Sequence, residues 1–104
     1  MTGKLKVLMI FISEAERVED LPLYELIIRK LVQLNVNGAT VCAGIMGFGK
    51  HHHVHRKRLF GVNDDRPVTI TVVESEEKLL EIIPIVRPMV KDGLVIVFDA
   101  EQVL

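Results

Sequence analysis

Two stretches with helical periodicity, each set between apolar runs rich in β-branched residues, constrain the fold of this chain more than any other feature. Apolar side chains recur every three or four positions over residues 23–34 and again over residues 79–90. A stripe with this period covers one side of an α-helix and leaves polar residues on the other side. The sequence therefore predicts two amphipathic helices that share a core with the flanking runs.

Local signals mark the ends of both helices. Pro22 suits the start of the first helix, because proline is tolerated in the first turn. Asn37 and Gly38 suit its exit. Ser75 supplies a capping hydroxyl for the second helix. Pro84 is expected to kink that helix, because proline removes one backbone donor.

Four β-rich runs complete the order of elements. They span residues 5–12, 39–46, 68–73 and 94–98, with the helices after the first and the third. The resulting order is βαββαβ. Two βαβ-like halves of this size make a ferredoxin-like α+β fold, an antiparallel four-stranded sheet with both helices on one face. We expect a single domain over residues 1–104.

Length and charge exclude several classes of function. The chain of 104 residues is 49% hydrophobic and can bury a core. Its formal net charge of −1 argues against nucleic acid as a partner, since such domains usually carry a basic excess. The apolar residues 7–12 are too few to span a membrane. The single cysteine, Cys42, lies in an apolar run, which predicts a buried residue in a reducing, cytoplasmic compartment.

The first and last strands predict self-association. Both carry apolar residues at successive positions, as in residues 94–98, so both faces of the sheet are apolar. If the helices cover one face, the other is a large exposed apolar patch, which soluble monomers rarely tolerate. We expect a homo-oligomer built sheet to sheet. The alternative is that the termini or a long loop cover the face.

The connection between the second and third strands holds most of the unusual residues. Residues 44–58 contain three glycines and all four histidines of the chain. About twenty residues without clear periodicity separate the apolar runs on either side, and connections of that length are usually functional or disordered. The activity is therefore expected in this loop.

Three glycines and a lysine in this connection suit the binding of a phosphate. Gly44, Gly47 and Gly49 allow positive φ, so that several backbone N–H groups can converge on one anion. Lys50 adds a positive charge beside them. The alternative is a turn in which the glycines only permit a bulged strand end.

The loop continues into a run of histidines and basic residues. Its members are His51, His52, His53, His55, Arg56, Lys57 and Arg58. Imidazoles at these spacings can bind zinc, copper or nickel, but the adjacent cations oppose a metal ion. We expect a solvated, mobile loop. A metal-binding protein of ion homeostasis is the alternative function.

Catalysis finds no support in the sequence. The sequence shows no pattern typical of a Ser, His and Asp triad, no pair of catalytic carboxylates and no activated cysteine. The chain is therefore not expected to be an enzyme. A nucleotide-hydrolysing enzyme is a further alternative to that expectation.

Several strings resemble one family over residues 4–103. The string GIMGFGK at residues 44–50, leading into a histidine-containing loop, resembles the PII-like signalling proteins, and most closely their divergent branch called domain of unknown function 190. The strings LPLYE at residues 21–25 and GAT at residues 38–40 resemble the same branch.

The resemblance implies a ferredoxin-like homotrimer with adenine nucleotides in the clefts between subunits. The long loop, the T-loop of this family, would run over residues 47–67 and contact an unidentified protein partner such as a membrane transporter or channel. A second loop, the B-loop, would supply phosphate contacts from the facing subunit. The implied nucleotide-binding residues are Gly44, Met46, Gly47, Phe48, Gly49, Lys50, Lys91, Asp92 and Gly93.

Two departures from the family pattern narrow these expectations. The only tyrosine is Tyr24, at the start of the first helix, so uridylylation of a T-loop tyrosine should be absent. The B-loop is reduced to residues 91–93, which leaves fewer phosphate contacts. AMP or ADP is therefore favoured over ATP, and sensing of 2-oxoglutarate is not expected.

Overall fold

The computed structural model describes residues 2–49, 54–56 and 65–104, which form eight strands and two α-helices. In chain order these elements are β1 (Thr2–Ser13), β2 (Arg17–Val18), β3 (Leu21–Pro22), α1 (Leu23–Gln33), β4 (Ala39–Ala43), β5 (Met46–Gly47), β6 (His55–Arg56), β7 (Pro67–Glu74), α2 (Glu76–Val86) and β8 (Leu94–Val103). A short 3-10 helix, Arg87–Met89, follows α2.

Four of the strands form one antiparallel sheet in the order β4-β7-β1-β8. The first strand, β1, is central and pairs with both β7 and β8, so that Val7 lies opposite Val73 on one side and Phe98 on the other. The four-stranded antiparallel sheet with two helices confirms the predicted ferredoxin-like α+β fold.

Both helices pack on one face of this sheet. Ile27 of α1 and Ile82 of α2 are fully buried in a cluster with Ile10 and Ile70 of the strands. The other buried members of the cluster are Leu8, Ile12, Leu23, Leu31, Val68, Val72, Leu79, Val86 and Val90. Burying one such side chain contributes about 1.5–3 kcal/mol, so this layer is the main source of stability.

The opposite face of the sheet is apolar and uncovered in the single chain. Val73, Leu94, Ile96 and Phe98 point to it and are between 36% and 57% exposed. Cys42 also lies on this open face, opposite Thr69 of β7, and is exposed. The predicted burial of this cysteine is therefore wrong for the single chain, because the register of β4 turns its side chain away from the helices.

The helices start where the sequence indicates, but α1 ends differently. Pro22 is the N-cap of α1, and the Ser75 hydroxyl accepts a hydrogen bond of 3.2 Å from the Lys78 N–H at the start of α2. The predicted exit at Asn37 and Gly38 is wrong. Asn35, with φ 62°, ends the helix, because its left-handed conformation lets two backbone N–H groups donate to carbonyls of the last helical turn. Asn35 donates to the Val32 carbonyl at 3.0 Å, and Val36 donates to the Leu31 carbonyl at 3.1 Å, which is a Schellman motif.

Pro84 lies inside α2 without ending it. The helix continues for two residues, to Val86, and then tightens into the 3-10 turn at Arg87. The kink expected at Pro84 stays a prediction.

Strand lengths follow the pairing partners rather than the apolar runs. The second predicted strand, residues 39–46, ends early at Ala43, because its partner β7 begins at Pro67. The last predicted strand, residues 94–98, extends to Val103, because β1 reaches back to Thr2 and pairs with it there. The charged connection after β1 contains the small β2–β3 hairpin, which the sequence did not indicate.

Candidate functional site

The candidate site begins where the chain leaves β4 and returns to β7, a region that we call the loop base and define as residues 44–49 and 65–67. The Gly44 N–H donates to the Pro67 carbonyl at 2.7 Å. Beyond it, β5 pairs with β6, so that Met46 lies opposite Arg56 and Gly47 opposite His55. The segment predicted to lack strands therefore starts with a two-stranded ladder.

The glycines of the loop base serve close packing. None of the glycines in the described ranges has positive φ, so the conformation expected at Gly44, Gly47 and Gly49 is wrong. A Cβ on Gly44 would lie 2.9 Å from Cγ of Pro67, and one on Gly47 would lie 3.3 Å from the same atom. The first two glycines thus allow the chain to cross the proline ring, whereas Gly49 has open space around it.

Exposed apolar side chains surround this crossing. Ile45 is 88% exposed, Met46 56% and Phe48 70%. Large apolar groups exposed together in this way usually contact a ligand or a partner. A flat heterocycle or an apolar partner surface would both suit them.

An ion pair fixes the returning strand at the loop base. The Arg66 guanidinium donates to the two carboxylate oxygens of Glu14 at 2.9 and 2.8 Å, and the Glu14 N–H donates to the Arg66 carbonyl at 2.9 Å. Arg66 was not among the predicted site residues, although its place just before Pro67 at the end of the loop was a usable signal.

The second candidate segment, residues 91–93, lies at the start of β8. A Cβ on Gly93 would lie 2.3 Å from the Phe11 carbonyl oxygen, so only glycine lets this turn approach β1. Before it, the Arg87 guanidinium donates to the Val90 carbonyl at 2.7 Å. Lys91 and Asp92 are exposed at the surface.

The two candidate segments lie at the same end of the sheet but at opposite edges. Gly44 follows the edge strand β4, and Gly93 precedes the edge strand β8, with β7 and β1 between them. Three strand spacings of about 4.8 Å separate these edges by about 14 Å. The structure therefore does not bring them together within one chain.

The remaining predicted site residues belong to the histidine-containing loop. Lys50, His51, His52, His53, Lys57 and Arg58 lie outside the described residues. His55 and Arg56 are described by their backbone in β6. Within the described ranges, no group of three or more His, Cys, Asp or Glu side chains could hold a metal ion. No helix in the same ranges is long and apolar enough to cross a membrane.

The far end of the sheet carries a charged groove. Lys6 and Asp99 form an ion pair there, beside a cavity of about 480 Å³ whose lining includes Lys4, Glu76 and Glu101. The hydrogen bond between the two groups raises the pKa of Lys6 and lowers the pKa of Asp99. The groove is remote from the loop base, because Lys6 lies near the start of β1 and Ser13 ends it at Pro67.

Comparison with solved structures defines the class of fold. The chain superimposes with a TM-score of 0.73 on CPII, a nitrogen regulatory PII-like protein from Thiomonas intermedia K12, whose structure contains ADP, AMP and bicarbonate. The match covers 97% of this chain and 90% of CPII at 23% identity. The fold is thus that of the PII-like proteins.

The particular family follows from the sequence. This chain belongs to the family DUF190, described as Uncharacterized ACR, whose profile matches residues 5–102. A UPF0166 protein of Aquifex aeolicus is 30% identical over 96% of this chain and 94% of its own length. A UPF0166 protein of Methanocaldococcus jannaschii is 32% identical over 92% of this chain and 89% of its own. The predicted resemblance is confirmed.

Proposed function

We propose that this protein is a cytoplasmic, trimeric PII-like regulator that binds AMP or ADP in clefts between subunits. The loop that follows β4 then signals occupancy to a partner protein, such as a membrane transporter or channel. The role is regulatory rather than catalytic. CPII, which shares the fold, contains ADP and AMP, and this supports an adenine nucleotide as the ligand.

The single observation that carries this proposal is the placement of the two candidate segments. Both segments, residues 44–49 and residues 91–93, lie at the same end of the sheet. They follow or precede its two edge strands, which are about 14 Å apart. One nucleotide can use both only if neighbouring subunits bring opposite sheet edges together. The exposed apolar face, with Ile96 and Phe98, provides a surface on which such subunits can associate.

Signalling would follow from differential binding. A nucleotide stabilises an ordered loop only by the difference between its affinities for the ordered and the other states. Because Gly44 and Gly47 pack on Pro67, the outgoing and the returning ends of the loop are tied to each other. A ligand bound at residues 44–49 therefore acts where the outgoing end of the loop packs on the returning strand.

The test is calorimetric titration of metal-free protein with AMP, ADP, ATP and cyclic AMP, repeated with zinc, together with light scattering. We expect three times the chain mass of 11.7 kDa and one nucleotide site for each subunit interface. AMP or ADP should bind more tightly than ATP. A monomer, or a trimer that binds no adenine nucleotide, contradicts the proposal.

Two variants test the phosphate contacts. Lys50→Ala and Lys91→Ala should each weaken nucleotide binding by about ten- to a hundredfold, because each removes a charge-assisted hydrogen bond. Lys30→Ala, in the last turn of α1, is the matched control and should leave affinity unchanged. If all three variants bind like the parent, the phosphate lies elsewhere.

Trypsin reports on the loop, because it cuts after Arg56, Lys57 and Arg58. Bound nucleotide should slow cleavage there if it orders the loop. Equal cleavage with and without bound nucleotide contradicts the signalling part of the proposal, while leaving nucleotide binding intact.

A further inference from the structure

The Glu14–Arg66 ion pair connects three segments that are distant in sequence. Glu14 follows β1, and Arg66 directly precedes β7, 52 residues later. Pro67, the next residue, accepts the Gly44 N–H at 2.7 Å and packs its ring on Gly44 and Gly47. A shift of Arg66 therefore shifts the surface on which the outgoing stem of the loop packs.

The geometry of the pair suits a positioning role. Its two parallel N–H to oxygen hydrogen bonds, at 2.9 and 2.8 Å, fix orientation as well as distance. A third bond, from the Glu14 N–H to the Arg66 carbonyl, extends the β1–β7 ladder by one residue beyond Ser13 and Pro67. The Glu14 side chain is only 18% exposed and that of Arg66 31%, so solvent competes less than at an open surface.

We propose that the Glu14–Arg66 pair positions the loop base, and that Glu14 and Arg66 are positioning residues for the nucleotide site. The second part rests on the proposed function, since it assumes that nucleotide binds at residues 44–49. The first part does not depend on a ligand. The pair holds Pro67 in place, and Pro67 in turn holds Gly44 and Gly47.

The first test measures amide hydrogen exchange in the ligand-free protein. Glu14→Gln and Arg66→Gln should each speed exchange of the Gly44 N–H by about tenfold, because the loss of a charge-assisted pair frees Pro67. Core amides, such as those of Ile10 and Ile70, should exchange as in the parent. A loss of global stability would instead speed exchange at every one of these amides.

The matched control is Glu25→Gln on α1. Glu25 pairs with Arg29 at 3.1 Å in an exposed i,i+4 arrangement, with the two side chains 40% and 63% exposed. The same chemical change there should leave the Gly44 amide unaffected. If Gly44 exchanges equally in Glu14→Gln, Glu25→Gln and the parent, the pair does not position the loop base.

The second test is a double-mutant cycle on AMP and ADP affinity. Glu14→Gln and Arg66→Gln should each weaken binding by about tenfold, and the double variant should weaken it no further, because both remove the same pair. If Arg66→Gln alone weakens binding, Arg66 contacts the ligand directly and the positioning role is overturned.

Two outcomes separate this inference from the proposed function. If the parent binds no adenine nucleotide but Gly44 exchange still responds to Glu14→Gln, the proposed function fails and the positioning of the loop base stands. If the parent binds nucleotide but neither exchange nor affinity responds, the proposed function stands and the positioning role fails.

Discussion

Glu19 has a backbone conformation that its side chain disfavours. It occupies the two-residue turn between Val18 and Leu21 with φ 56°, and non-glycine residues in the left-handed region cost roughly 1–2 kcal/mol. Asn35 has a similar φ, but a short amide side chain tolerates it. We expect Glu19→Gly to raise the free energy of unfolding by about 0.5–1 kcal/mol, measured by urea denaturation, because relief of strain exceeds the added entropy of the unfolded chain.

Asp20→Gly is the matched control for this prediction. Asp20 is the other residue of the turn and has no positive φ, so glycine there adds only chain entropy and should lower stability. Equal losses in the two variants would show that Glu19 is not strained.

Gly93 tests whether a predicted ligand-binding residue is needed by the fold. We expect Gly93→Ala to lower the free energy of unfolding by about 1–3 kcal/mol, because its Cβ would meet the Phe11 carbonyl at 2.3 Å. Gly38→Ala is the control, since no atom lies within 4 Å of its added Cβ, and its effect should stay within about 0.5 kcal/mol. A stable Gly93→Ala variant that no longer binds nucleotide would assign Gly93 to the ligand instead.

At the scale of elements, local signals were predictable and distant ones were not. Pro22 and Ser75 act on the turn that follows them, so both helix starts could be read from the sequence. The exit of α1 was predicted at Asn37 and Gly38, whereas Asn35 adopts the positive φ that ends the helix. Strand ends depend on where a partner strand begins, as at Pro67, and a partner's position is a property of the fold.

The candidate site also combines local features that could be predicted from the sequence with distant contacts that could not. The position of the glycine-rich segment at the end of a strand was predictable, because it follows an apolar run directly. The need for glycine at position 44 was not predictable, because Pro67, against which Gly44 packs, lies far along the chain. The pairing of Glu14 with Arg66 was hidden for the same reason, because 52 residues separate the two.

The pairing of β1 with β8 predicts a pH dependence at their far end. The hydrogen bond from Lys6 lowers the pKa of Asp99 and raises that of Lys6, so the pair stabilises the fold between the ordinary values of 3.8 and 10.5. As the pH falls through the lowered pKa of Asp99, that carboxylate takes up a proton and the contribution is lost. As the pH rises through the raised pKa of Lys6, the ammonium group loses its proton with the same effect.

Asp99→Asn should therefore be less stable than the parent at pH 7, with a difference that shrinks towards zero in acid below the carboxyl pKa. Thermal unfolding of both proteins from pH 2 to pH 9 measures this. A difference that stays constant down to the lowest pH would show that the substitution acts through packing, because no titration would then be involved.

At the scale of the whole molecule, the open sheet face is expected to form the trimer. Ile96→Glu places a charge on that face, where Ile96 lies opposite Met9 and is 36% exposed in the single chain. Burying a charge without a partner is unfavourable, so light scattering should give the monomer mass at micromolar concentration. Nucleotide affinity should fall with it, because each of the proposed clefts needs two subunits.

Leu80→Glu is the control for this prediction. Leu80 is 67% exposed on α2, on the helical side of the sheet, and its substitution should leave the mass unchanged. If Leu80→Glu dissociates the protein and Ile96→Glu does not, the subunits associate through the helices.

The central place of β1 has a consequence for how the protein is made. β1 leaves the ribosome before the rest of the sheet, and both of its ladder partners, β7 and β8, lie after residue 66. At about 5–20 residues per second, several seconds of translation pass before either partner exists. During that time an apolar strand with two open edges is exposed to other nascent chains, and contacts so distant in sequence also form slowly. The yield of native protein should therefore depend on translation speed and chaperone supply.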